Sequence, residues 1–81
     1  MIVEWKVRLT YPPQLLERPL IYELIQQFGL LTNILEAHVN SDVGWLIVAV
    51  RGEREMVQQG VKWVSEQGVE VEIIAKSEEA V

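Results

Sequence analysis

Few residues of this chain have the types and spacing that chemistry requires. His38 and Glu36 are two apart, so on a strand they share a face and could hold a metal ion or make a pH-sensitive contact. Glu70 and Glu72 repeat that spacing, which would suit paired carboxylates in acid–base work, although such a pair on an outer strand is more commonly a solvated face. Gln59-Gly60-Val61 faintly echoes a phosphate-cradling loop, yet it falls in mid-helix, where the backbone N–H groups are already used. No Ser/His/Asp or Cys/His set and no cluster of metal-ligating types accompanies them. The expectation is a protein that binds rather than catalyses, without metal or cofactor.

The elements that must position these residues are readable from apolar spacing. Val3, Trp5, Val7 and Leu9 alternate with Glu4, Lys6, Arg8 and Thr10, which predicts a half-buried strand ended by Tyr11-Pro12-Pro13. Pro19 suits an early helix position, and Leu20, Ile21, Leu24, Ile25 and Phe28 form a helical stripe closed by Gly29. Leu31 to Val39 reads as a second strand, residues 40–44 as a hairpin turn, and Trp45 to Arg51 as a third strand ended by Gly52. A second helix follows, with Glu53 and Glu55 in its first turn, Val57, Gly60, Val61 and Val64 on one side and Gly68 as its cap. Met56 and Trp63 are assigned to helix packing. A final strand runs from Val69 to Ile74, so residues 1–74 form one domain and 75–81 read as a flexible tail.

Composition bounds the partners. At 81 residues the chain is one domain that hides only roughly 60% of its unfolded surface, so without cysteines a partner subunit is a natural source of stability. A net charge of −5 argues against nucleic acid and against a membrane surface. MIVEWKVRLT does not read as a signal peptide and no stretch reaches the ~20 apolar residues of a membrane helix, so a cytoplasmic protein is expected.

A βαββαβ order with right-handed crossovers predicts an α+β ferredoxin-like sandwich, an antiparallel sheet in the order 4-1-3-2 with both helices on one face. Trp45 to Val50 carries apolar residues at every position, too many for the helix side alone. Assigning Val7, Leu35, Val48 and Val71 to the helix side leaves Lys6, Arg8, Ile34, Glu36, His38, Trp45, Ile47, Ala49, Glu70 and Glu72 on the open side. Ile34, Trp45 and Ile47 then make an apolar patch that something should cover.

Asn33-Ile34-Leu35, after a helix ending Phe28-Gly29 and before a hairpin in which Gly44 opens the next strand, resembles the NIL domain, a family named for those three residues. The likeness extends to the closing GVEVEII at residues 68–74. NIL domains are regulatory parts of methionine-import ABC transporter ATPases, ferredoxin-like and similar to ACT domains, which pair through their sheets and bind methionine to shut transport down. The resemblance therefore implies a small-ligand-binding regulatory module, a homodimer or higher oligomer, binding methionine or a related amino acid. This chain carries no GxxxxGK[ST] phosphate loop and no iron–sulfur cysteine cluster, so the domain is expected to stand alone.

Carried onto this sequence, the resemblance makes Asn33 the leading ligand contact, its amide offering both donor and acceptor to an amino acid. Ile34 and Leu35 follow, through backbone amides and an apolar wall. Gly44 reads first as a hairpin residue needing positive φ, and second as a place where a ligand approaches the backbone. Ile34, Trp45 and Ile47 are the expected dimer seam. The alternative is a structural or adaptor dimerisation module with no small ligand; an RNA-binding sheet using Trp45 and Trp5 is disfavoured by charge and by the core placement of Trp5.

Overall fold

The first strand, β1 (Ile2–Tyr11), lies inside the sheet and its alternation is complete: Val3, Trp5, Val7, Leu9 and Tyr11 are all buried. The computed structural model describes residues 1–78 and places six further elements after β1. These are a short 3-10 turn (Pro13–Leu15), α1 (Leu20–Phe28), β2 (Leu31–Val39), β3 (Gly44–Glu53), α2 (Arg54–Glu66) and β4 (Glu70–Glu78). All pairings are antiparallel and the strand order is β2-β3-β1-β4, the expected ferredoxin-like arrangement.

The helices pack on the face that β1 fills. Leu20 and Leu24 of α1 and Val57, Val61 and Val64 of α2 join Val48 and Val50 of β3 in the core. Phe28 and Trp63 meet between the helices with ring centroids 5.9 Å apart and planes tilted by 56°. α1 ends as its sequence predicts, with Gly29 left-handed at φ 63° and its N–H donating to the Ile25 carbonyl at 2.9 Å. Pro19 precedes the helix as its N-cap, and Glu53 takes the same position for α2 instead of entering the first turn.

The ends of two strands differ from expectation. β3 runs past Gly52 to Glu53. β4 continues through Ala75, Lys76, Ser77 and Glu78, which pair with Lys6, Trp5, Glu4 and Val3, so the segment expected as a tail is sheet as far as residue 78. Residues 79–81 lie outside the described residues. The physical reason is visible in the side chains: the Lys76 ammonium sits 4.2 Å from the Trp5 ring centroid, and Glu78 pairs with Arg54 at the start of α2.

Both edge strands carry an extra residue. In β2 the register passes from Ile34 opposite Val48 to Glu36 opposite Ile47, leaving Leu35 as a bulge; in β4 it passes from Ile73 opposite Val7 to Ala75 opposite Lys6, leaving Ile74. Because side chains alternate with period two, one inserted residue changes the face of everything on one side of it. The expected faces of Ile34 and Leu35 are therefore corrected. Ile34, opposite the fully buried Val48, belongs to the helix side, where it is still 52% exposed because the helices do not reach the edge. Leu35 is 43% exposed and turns to the open side, while Glu36 and His38 lie beyond the bulge on the open side as expected.

Candidate functional site

The open face is organised in cross-strand rows, which the register assigns directly. One row reads Glu70, Thr10, Trp45, His38 from β4 to β2. Here the His38 ring stacks on Trp45 at 6.0 Å between centroids, and the Arg8 guanidinium lies 4.6 Å from the centroid of the same indole. The next row reads Glu72, Arg8, Ile47, Glu36, so Arg8 stands between a carboxylate across the strand and the Trp45 ring. His38 and Glu36 thus share a face, but the histidine's near neighbour is an aromatic ring; no group of three or more potential metal ligands occurs among the described residues.

A third row reads Ala75, Lys6, Ala49, Asn33. Two alanines beside a lysine leave the sheet backbone nearly bare, and a depression of about 390 Å³ opens there. Its rim is polar on three sides, from Glu4, Lys6, Asn33 and Ser77, and apolar at Leu35. Ser77 donates from its hydroxyl to the Glu4 carbonyl at 3.2 Å, which ties β4 to β1 at the rim. Neither the Asn33 amide nor the Lys6 ammonium has a side-chain partner among the described residues. Both side chains are exposed to solvent.

The structure brings Asn33 and Leu35 together at this depression and separates them from Ile34 and Gly44. Ile34 points its side chain to the other face. Gly44 lies five residues along β3 from Ala49, roughly 17 Å at the rise of an extended strand, too far to touch the same small molecule as Asn33. It does not have positive φ either, which among the described residues is confined to Gly29 and Gly68. The hairpin is closed instead by Asn40, whose Oδ1 accepts the backbone N–H groups of Asp42 and Val43 at 2.8 Å each. At Gly44 the end of the Leu16 side chain, Cδ2, occupies the space that a Cβ would take.

A second cavity, about 180 Å³, lies at that far end between α1 and the β2–β3 hairpin, lined by Tyr11, Leu16, Tyr22, Val39, Gly44 and Leu46 among others. Burial pushes the Tyr11 hydroxyl above its ordinary pKa. Arg18, at its margin, is held by a two-pronged pair with Glu23 at 2.9 and 3.1 Å and by Gln67 at 3.0 Å. Its charge is thereby satisfied within the fold.

Lys6, Ala49, Ala75 and Ser77 were not singled out as site residues by sequence pattern. Ala49 did carry a signal, a small residue between Ile47 and Arg51 on the open face. Ala75 and Ser77 gave none, because residues 75–81 lack strand alternation.

The NIL domain model matches residues 6–73. Among curated proteins, the methionine import ATP-binding protein MetN of Coxiella burnetii is 31% identical over 72 residues, 84% of this chain and 20% of the relative. MetN of Bacillus subtilis is also 31% identical over 72 residues, 84% of this chain and 21% of the relative. The chain thus spans about a fifth of the length of the curated relatives it matches. Among solved structures, the C-terminal domain of an ABC transporter ATP-binding protein from Enterococcus faecalis superposes with a TM-score of 0.76 at 20% identity, over 88% of this chain and 83% of that one. The designed protein Foldit4 superposes at 0.64 with 14% identity, over 99% and 100%. At such identities these two likenesses bear on the fold, whereas the family model covers the motif, both helices and most of the sheet: the chain belongs to the NIL domain family.

Proposed function

We propose that this chain is a regulatory module that binds methionine or a related amino acid while paired with a second copy of itself. One observation carries the reading. Asn33, the first residue of the family's motif, stands at the rim of an alanine-floored depression with an unpaired amide. A free amino acid offers a carboxylate, an ammonium group and a short side chain, which match an amide, a charged rim and the Leu35 wall. Methionine is the first candidate because the curated relatives are named as methionine import ATP-binding proteins.

Pairing is supported by what the helices leave uncovered. β2 is an edge strand with Leu31, Ile34, Leu35 and Val39 all exposed, and Trp45 and Ile47 adjoin it on the open face. A second copy laid along this seam would also close the depression, which is shallow in one copy. Among the described residues no helix is long and apolar enough to cross a membrane. A cytoplasmic setting, beside an ATPase of the kind its relatives contain, fits this reading.

Isothermal titration with L-methionine, other amino acids and S-adenosylmethionine tests it. Saturable heat from an amino acid supports the reading, and no heat with any of them from a folded protein removes it. The same exposed seam favours a second reading, an adaptor that pairs without a ligand. Asn33→Ala separates the two: the ligand reading expects lost binding with pairing intact, and the adaptor reading expects little change.

A further inference from the structure

We propose that Lys6 determines ligand class at this depression, holding the carboxylate of a free amino acid between its ammonium and the Asn33 amide, so that amines without a carboxylate are rejected. The proposal rests on the amino-acid reading given above and adds to it a residue outside the family motif.

The argument begins with the neighbours of Lys6. Its two cross-strand partners are Ala49 and Ala75, neither of which can pair with or cover a charge. Arg8, two residues on and on the same face, has the opposite surroundings, with Glu72 across one side and the Trp45 ring beneath it. Lys76 is laid over Trp5 and Arg54 is paired with Glu78. Lys6 makes no ion pair with a described residue. A cation that lines a depression and has no ion pair with a described residue gives a small anion a local attractive centre.

Reach and charge agree with this. Lys6 and Asn33 are two strand spacings apart in one row, roughly 10 Å between their backbones, and the four-carbon stem of lysine crosses most of that gap. A carboxylate above Ala49 then accepts from both groups, one charge-assisted. Glu4, two residues from Lys6 on the same rim, is placed to receive the ligand's ammonium.

The test compares L-methionine with 3-(methylthio)propan-1-amine, which keeps the amine and the thioether and lacks the carboxylate, by titration into the full chain and into Lys6→Met and Lys6→Arg. The wild type should prefer methionine by about tenfold or more, Lys6→Met should lose both about tenfold in affinity and the preference, and Lys6→Arg should keep the preference. Lys6 is exposed, so both variants should give the wild-type circular dichroism spectrum and melting temperature. Methionine binding in Lys6→Met with unchanged affinity and preference would overturn the role of Lys6 alone, as would a wild type that binds the amine equally well. A wild type that binds no amino acid removes the reading on which it rests.

Discussion

Leu16 and Gly44 interlock: Cδ2 of Leu16 fills the volume that a Cβ on residue 44 would need, and Tyr11 Cβ stands 3.8 Å from that same point. The contact joins the turn before α1 to the start of β3, closing the end of the sheet where β1 and β3 meet. It explains a glycine at the start of a strand without invoking turn geometry.

Gly44→Ala should therefore force the Leu16 side chain to turn aside, and because the obstructing atom is the end of a half-buried leucine the loss in chemical denaturation should be about 1 kcal/mol or less. The same change made in Leu16→Ala should cost clearly less, because the obstructing methyl is gone. Equal penalties in the two backgrounds would contradict the interlock, since residues in contact must show a coupling energy.

Arg18 and Glu23 make a pH-dependent contribution whose sign is fixed. The hydrogen bonds from Arg18, with its charge, hold the Glu23 carboxyl below the usual carboxylate range. A carboxylate with a depressed folded-state pKa contributes stability that is full above its unfolded value, ~4.3, and is lost as pH falls through the folded value. Glu23→Gln should lower the melting temperature at neutral pH, and the gap from wild type should close on acidification. A gap that stayed constant down to strongly acid pH would show that the pair contributes nothing through ionisation.

Most of the fold was legible because β1, α1 and α2 have unbroken periodicities and because Gly29 closes α1 in the left-handed conformation that its residue type favours. Of the residues that line the proposed site, Asn33 was legible through its motif, and those around it were not, for two physical reasons. Leu35 and Ile74 are bulge residues with nothing in their side chains to mark them, so period-two counting put Ile34 and Leu35 on each other's faces. The far rim is built from Ala75 and Ser77, small or polar residues held in the sheet by pairing with β1 and by interactions such as Lys76 on Trp5. Local pattern holds no record of such tertiary contacts.

Pairing of two copies through the β2 edge and the adjoining open face can be read by light scattering or sedimentation. Ile34→Lys and Ile47→Glu place charges on the two faces flanking that seam, and each should weaken association by more than about tenfold, equivalent to about 1.4 kcal/mol. An effect of Ile47→Glu alone would confine the seam to the open face. A wild type that is monomeric at micromolar concentration contradicts both the ligand-binding pair and the adaptor.

Deleting Leu35 tests whether the bulge serves the depression or only the strand. With Leu35 removed, Ile34 still faces Val48 and the next residue, Glu36, still faces Ile47, so regular pairing is restored without moving any other partner. The deletion variant should fold, with amide protection in β3 and cross-strand contacts from Ile34 and Glu36 retained in NMR spectra. The apolar wall beside Asn33 and Ala49 would be gone, so methionine binding should weaken by about tenfold. Retained folding with retained affinity would mean that Leu35 does no more than twist an exposed edge away from unwanted pairing, and the ligand's side chain would then have to lie elsewhere along the seam.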